Sequence, residues 1–261
     1  MLALYFSGTG NTKYIAQLFG EKLGARCLST EAQVDFPAEL ATHDTIAFCY
    51  PIYGSRVPLI MREFVGRHVE ALRGKKLIVL VTQVAFSGDG ARAFLDLLPP
   101  DHMEVLYAEH FPMPNNVCNL WPLYRRQSSR RIATYIRHAE ETLGLVCADI
   151  QAGHVKKRGF SKLSWALGKL QGPAWQGRAE ALMGRNLRIH DACTVCGLCV
   201  RLCPMQNLAE RDGKIVHNHS CTVCYRCVNS CPARAITVYI HQRPKWQYHG
   251  IGSEGVERCE R

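Results

Sequence analysis

Eight of the thirteen cysteines fall into two copies of one motif in the C-terminal third of the chain. The first copy is Cys193-Thr-Val-Cys196-Gly-Leu-Cys199-Val-Arg-Leu-Cys203-Pro204, and the second is Cys221-Thr-Val-Cys224-Tyr-Arg-Cys227-Val-Asn-Ser-Cys231-Pro232. Every cysteine of the first copy recurs 28 positions later, so both copies have the form C-x2-C-x2-C-x3-C-P. A regular repeat of this kind limits the region to folds in which two equivalent loops each gather several thiolates.

The spacing within each copy predicts a [4Fe–4S] cluster. Three cysteines two residues apart wrap a tight loop around one cubane, while the fourth lies too far along the chain and crosses to the other cluster. The proline after it ends the local turn because it has no backbone N–H to donate. We therefore assign cluster one to Cys193, Cys196, Cys199 and Cys231, and cluster two to Cys221, Cys224, Cys227 and Cys203.

Two other uses of clustered cysteines fit less well. Zinc also prefers thiolates, but zinc ribbons use paired C-x2-C knuckles instead of four-cysteine runs that end in Cys-Pro. Disulfides are typical of secreted proteins, and the N-terminus, MLALYFSGTGNT, has no basic leader before its apolar residues. The longest clean apolar run, Leu77 to Val81, is too short to span a bilayer. We expect a cytoplasmic protein without a membrane span.

The stretch 184–242 resembles a bacterial two-cluster ferredoxin throughout. Asp212-Gly213 between the copies predicts a short hairpin over Arg211–Val216, and Ala235–Ile240 reads as a closing strand. The resemblance implies a small α+β domain that transfers electrons.

A second motif lies at the N-terminus, where an apolar run over residues 2–6 leads into a small polar loop and then into a helical pattern. Backbone N–H groups and hydroxyls at a helix N-terminus form a phosphate site. Neither the Walker A pattern nor the dinucleotide fingerprint is present. The candidate phosphate-binding residues are Ser7, Gly8, Thr9, Gly10, Asn11 and Thr12.

This loop resembles that of flavodoxins, which hold the phosphate of FMN without a basic residue; Tyr5 and Ala16 are also in register with the flavodoxin pattern. The resemblance implies that two later loops border the isoalloxazine ring. They contain Pro51, Ile52, Tyr53 and Gly54 after the third strand, and Phe86, Ser87 and Gly88 after the fourth. Tyr53 and Phe86 are candidates to flank the ring, although either aromatic could equally belong to the core.

Strands and helices alternate through the first half of the chain, which predicts a flavodoxin-like, doubly wound parallel α/β sheet. We expect strands at Thr45–Cys49, Lys76–Val81 and Glu104–Ala108, and helices at Leu59–Leu72, Ala91–Leu98, Ser128–Leu143, Phe160–Leu170 and Ala174–Met183. The predicted domains are a flavodoxin-like domain over 1–145, a helical basic connector over 146–183, a ferredoxin domain over 184–242 and a polar tail over 243–261.

Positive charge is concentrated in one segment of the chain. Residues 120–190 contain 13 Lys and Arg against 4 Asp and Glu, whereas the remainder contains 19 and 18. The segment carries no recognised DNA- or RNA-binding motif, which disfavours nucleic acid as the partner. The basic run Lys156-Lys157-Arg158 is a solvated face, a docking patch for an acidic redox protein or a contact for the flavin phosphate.

Together the two motif sets resemble bacterial and archaeal flavodoxin–ferredoxin fusions. The resemblance implies an electron relay between FMN and two [4Fe–4S] clusters that serves partner redox proteins. One alternative is an oxidoreductase in which the flavin reduces a small substrate or uses NAD(P)H, for which no nicotinamide fingerprint is visible. Another is a module in which the clusters are structural only.

Overall fold

The computed structural model describes residues 1–84, 88–175 and 178–251, and the chain divides into two units. The first unit comprises Met1–Ser7, Asn11–Met113 and Ser129–Gln176. The second comprises Gly8–Gly10, Pro114–Ser128 and Gly177–Arg261. The predicted phenylalanine and serine at positions 86 and 87 lie outside the described residues.

The first unit is built on a parallel sheet of six strands in the order β2-β1-β3-β4-β5-β6. The strands are β1 (Leu2–Tyr5), β2 (Arg26–Ser29), β3 (Thr45–Pro51), β4 (Lys76–Gln83), β5 (Glu104–Pro112) and β6 (Lys156–Lys157). The first five follow the doubly wound order that the sequence predicts, and β6 adds an edge next to β5.

Helices flank this sheet, as its parallel strands require. They are α1 (Asn11–Leu23), α2 (Phe36–Ala41), α3 (Leu59–His68), α4 (Ser129–Gln151) and α5 (Lys162–Trp175). Two 3₁₀ turns, Glu70–Leu72 and Arg92–Leu97, complete the unit. The predicted helix at Ala91–Leu98 is therefore a 3₁₀ turn, and the one predicted to end at Leu143 continues to Gln151.

An aromatic cluster fills the face of the sheet towards α3. Phe94 lies 4.6 Å from Phe48 between ring centroids and stacks on Tyr50 at 5.9 Å, while Phe64 meets Phe36 edge to face at 4.8 Å. Offset and edge-to-face contacts of this kind add to the free energy gained from burial. Phe48 and Tyr50 both belong to β3, so the cluster holds the carboxyl-terminal half of that strand.

The second unit contains α6 (Arg178–Arg185), α7 (Leu198–Leu202) and α8 (Arg226–Ser230) with two small antiparallel sheets. One sheet pairs β7 (Leu187–Ile189) with β10 (Ile236–Val238). The other is the hairpin of β8 (Leu208–Arg211) and β9 (Lys214–His217), with Asp212 and Gly213 both at positive φ in the turn, as the Asp-Gly pair predicts. Within the described ranges, none of the helices has the length and apolar character needed to cross a bilayer.

Two glycines test how α5 is held in the first unit. A β-carbon at Gly168 would overlap the Asp89 carboxylate, which is fully buried between Arg56 and Arg92 and has no room to move. We expect Gly168→Ala to lower the free energy of unfolding by about 1–3 kcal/mol because it overpacks this site.

The matched control is Gly144→Ala in α4, where the added methyl group meets nothing within 4 Å. Since alanine favours the helix, this variant should gain about 0.5–1 kcal/mol. Thermal unfolding of both variants measures the two changes. If both variants shifted the unfolding temperature equally and in the same direction, α5 would not pack on Asp89 as described.

Candidate functional site

The polar loop between β1 and α1 has the features of a phosphate site. Ser7 and Thr12 are buried, and the Thr12 hydroxyl lies 2.7 Å from the hydroxyl of Thr82 at the end of β4. Gly10 adopts φ +101°, a conformation that favours glycine. The first turn of α1 contains no acidic residue, so the positive end of its dipole is not neutralised there. These donors fit a phosphate group.

The loop after β3 leaves the carboxyl end of the same sheet. The Ile52 N–H donates to the Thr82 carbonyl at 2.9 Å, and Tyr53 and Arg56 exchange backbone hydrogen bonds of 3.2 and 3.0 Å. Gly54 and Ser55 both have positive φ, which turns the chain back sharply. The carboxyl ends of parallel strands are where open α/β sheets bind ligands, and a planar ring suits this edge.

The loop after β4 packs on α5. A β-carbon at Gly88 would lie 2.8 Å from the Gly168 nitrogen and 2.9 Å from the Ser164 carbonyl oxygen, so only glycine allows this approach. Next to it, Asp89 lies 4.0 Å from Arg56 and 3.6 Å from Arg92. Burial raises the pKa of Asp89, and the two arginines oppose that rise. The sequence analysis did not identify this acid, because its arginines are brought to it by the fold.

The eight motif cysteines line two separate cavities. Cys193, Cys196, Cys199 and Cys231 line one of them, and Cys203, Cys221, Cys224 and Cys227 line the other. Each cavity thus combines three cysteines of one copy with the fourth cysteine of the other copy. Four thiolates around one space form the donor set that a [4Fe–4S] cluster uses.

Backbone N–H groups point at the cysteine sulfurs in a pattern that repeats between the copies. At the first cysteine of each copy, Val195 N–H donates to Cys193 Sγ at 3.4 Å and Val223 N–H donates to Cys221 Sγ at 3.3 Å. At the fourth cysteines, Asn207 and Ala235 N–H groups donate to Cys203 and Cys231 Sγ, each at 3.3 Å. Such bonds stabilise thiolate charge and tune cluster potential.

The backbone that aims these donors is strained in the same places in both copies. Positive φ angles occur at Val195 and Val223, at Gly197 and Tyr225, and at Gln206 and Arg234. A β-branched or bulky residue in this region costs energy, and such strain persists where the surroundings impose it. Burial also raises the pKa of the Cys199 thiol to about 11 and that of Cys221 to about 12, so iron has to displace these protons on binding.

Within the second unit, Gly8 is hydrogen-bonded to the second cysteine motif directly, and Thr9 is connected to it through Asn116. Arg226 Nε donates to the Gly8 carbonyl at 3.2 Å, and its Nη1 donates to Leu202 at 3.0 Å. Asn116 Nδ2 lies 3.2 Å from the Thr9 hydroxyl and 3.5 Å from the Cys224 carbonyl. The motifs alone did not indicate either residue, because Arg226 occupies a variable position of the second motif and Asn116 lies outside both motifs.

The basic run at 156–158 contacts a buried acid of the first unit. Arg158 Nη1 donates to Glu109 Oε1 at 2.8 Å, and Lys156 Nζ lies 3.7 Å from Glu109 Oε2. Because Glu109 is buried, these two cations compensate its charge. Their pairing accounts for two of the three basic residues without a partner protein or a phosphate.

Comparison with known proteins matches two separate parts of the chain to domain families. A flavodoxin domain family matches residues 2–111, and a 4Fe-4S dicluster domain family matches residues 185–232. No curated protein matches the chain.

Among solved structures, the chain is similar to an archaeal flavodoxin, with 17% identity over 56% of this chain and 96% of the other and a TM-score of 0.36. Two-electron reduced Megasphaera elsdenii flavodoxin is 16% identical over 54% of this chain and 99% of its own, with a TM-score of 0.38. Oxidised Flavodoxin 2 from Bacillus cereus is 19% identical over 57% of this chain and 97% of its own, with a TM-score of 0.37.

The two matches also identify the cofactors, because a flavodoxin domain implies FMN and a dicluster domain implies two [4Fe–4S] clusters. The parallel sheet with its phosphate loop and the two four-cysteine cavities agree with these assignments. The chain is an electron-transfer protein that joins a flavodoxin domain to a 4Fe-4S dicluster domain.

Proposed function

We propose that this protein relays electrons between FMN and two [4Fe–4S] clusters within one chain, and so carries electrons between partner redox proteins. The hydrogen bonds that join Gly8 and Thr9 to Arg226, Asn116 and Cys224 support the proposal most directly. They connect the loop proposed to hold the flavin phosphate with the loop of cluster two. We therefore propose cluster two as the one that exchanges electrons with the flavin.

The two cofactor types supply complementary chemistry when bound, since clusters exchange single electrons and FMN accepts one or two. The chain's own residues hold them. Ser7 to Thr12 bind the phosphate, and the loops Pro51–Gly54 and Phe86–Gly88 border the ring. The packing of α5 on Gly88 supports a carrier, because it covers part of the loop that a small substrate would approach.

The crossed cysteine sets are proposed as the cluster ligands. Cys193, Cys196, Cys199 and Cys231 bind cluster one, while Cys221, Cys224, Cys227 and Cys203 bind cluster two. The lining of the two cavities supports this division.

The partner is an acidic redox protein that docks on the basic segment 120–190. Arg130 and Arg131 in this segment are exposed and adjacent in the chain. Clustered charge of one sign accelerates encounter with a partner of opposite charge, and salt screens the effect. The relay operates in the cytoplasm, where the thiols stay reduced.

Anaerobic reconstitution followed by a reductive titration tests the relay. The account expects about eight irons and one FMN per chain, consistent with two four-iron clusters, and reduction of the flavin by electrons that enter through the clusters. A flavin that stays oxidised in chains with fully reduced clusters would mean that the clusters serve structure alone.

Paired substitutions test the crossed ligands. Cys203→Ser and Cys224→Ser remove ligands of the same cluster, so the double variant should lose no more iron than either single variant and keep about four irons per chain. Cys203→Ser combined with Cys196→Ser should lose both clusters. Iron and sulfide analysis distinguishes the two pairs, with Cys27→Ser in β2 as a control. If the pair with Cys224→Ser lost both clusters and the pair with Cys196→Ser kept one, Cys203 would belong to cluster one.

Substitution of Asn116 tests the connection between the phosphate loop and cluster two. Asn116→Leu removes the contacts with Thr9 and Cys224, so we expect flavin reduction by the clusters to slow at least about tenfold, the equivalent of one lost hydrogen bond of about 1.4 kcal/mol. Iron and FMN contents should stay unchanged.

The matched control is Asn218→Leu, whose side chain instead donates to the Gln206 carbonyl at 3.4 Å near the β8–β9 hairpin. Rapid-mixing kinetics report the rate in both variants. Equal rates in the wild type and Asn116→Leu would refute a role for this contact in the relay.

A further inference from the structure

The second unit contains a cleft of about 760 Å³ that neither cofactor accounts for. Two chain segments and one arginine form it: Trp121, Arg125 and Arg126 from the first segment, Arg234, and the stretch Lys245–His249. Its volume falls within the range of small-molecule sites, roughly 300–1,000 Å³.

All residues that line the cleft lie outside the two matched domains. The flavodoxin match ends at residue 111, and the dicluster match covers 185–232. The cleft is thus formed by what this chain adds to the two domains. A role beyond holding FMN and the clusters is the simplest reason for such an addition.

The charge of the cleft has one sign. Arg125, Arg126, Arg234 and Lys245 contribute four cations, and none of the described residues that line it is acidic. Arg234 Nη1 donates to the Lys245 carbonyl at 3.2 Å, which fixes two of the cationic residues relative to each other. Four cations around one cleft, with no acidic residue among its described lining, fit a ligand that carries several negative charges.

The cleft also offers aromatic surface. Lys245 Nζ lies 3.7 Å from the ring centroid of Trp121, which is 45% exposed. Trp246 lines the cleft as well but is only 8% exposed. The Trp121 ring is therefore the aromatic face that a flat ligand can reach.

We propose that this cleft binds a nucleotide with two or more phosphates. The base stacks on Trp121, and the phosphates pair with the arginines and Lys245. A single phosphate would leave most of the four cations without a counter-charge. Gln247 forms the cleft wall nearest cluster one, because its Nε2 donates to the Cys231 carbonyl at 2.7 Å.

Calorimetric titration of the protein loaded with FMN and both clusters tests the proposal at low salt. ADP and ATP should bind saturably, with one site per chain. Adenosine should bind at least tenfold more weakly because it lacks the charges, and pyrophosphate should compete with ADP. Arg126→Ala and Lys245→Ala should each weaken ADP binding about tenfold or more, as loss of a charge-assisted hydrogen bond predicts.

Two further variants separate the cleft from general charge effects. Arg130→Ala removes an exposed cation at the start of α4, outside the cleft, and should leave ADP binding unchanged. Trp121→Ala removes the exposed ring on which the base stacks, and should weaken binding several-fold. Unchanged iron and flavin contents in every variant confirm that the fold is intact.

Three results would overturn the proposal. They are absence of saturable ADP and ATP binding by the loaded protein, equal ADP affinity in Arg126→Ala, Lys245→Ala and the wild type, and a second equivalent of FMN that binds as tightly as ADP. None of these results depends on electron transfer, so the relay stands or fails separately.

Discussion

The two cysteine runs depend on each other, because the fourth cysteine of each lines the cavity of the other. Neither four-thiolate set is complete until both copies have folded side by side. The backbone around them carries left-handed residues at matching positions in the two copies. This strain is balanced by the N–H groups that it directs at the sulfurs. The ferredoxin unit is therefore held by paired loops around its clusters more than by its short strands.

Side-chain amides from the segment Pro114–Ser128 and from α8 connect the parts of this unit. Asn119 Nδ2 donates to the carbonyls of Val238, the last residue of β10, and of Ile240 just after it, at 2.9 and 2.5 Å. Asn229 in α8 donates to the carbonyls of Asn116 and Tyr225 at 2.9 and 3.0 Å. Amides can donate and accept at once, which suits them to loops whose backbone groups lack ladder partners. Through Asn116, the same network reaches the Thr9 hydroxyl.

Local patterns predicted the features that depend on local physics. The alternation of apolar strands and amphipathic helices indicated the parallel sheet, and the Asp-Gly pair indicated the β8–β9 hairpin. Local patterns did not give bounds for β2, which is only partly buried, or for the two-residue β6, because neither carries a periodic apolar pattern. They also missed the partners of Asp89 and Glu109, since a buried acid finds its arginine or lysine through tertiary contacts. The cleft could not be predicted for the same reason, because its four cations come from separate segments of the chain and meet only in the folded protein.

The central claim is that electrons pass between the clusters and the flavin inside one chain. Flash reduction of the clusters in dilute, fully loaded protein tests it directly, with flavin absorbance as the readout. The account predicts that the flavin is reduced in a first-order step whose rate constant does not change when the protein is diluted tenfold. A rate that falls in proportion to protein concentration would show that electrons pass between molecules, and would contradict the internal relay.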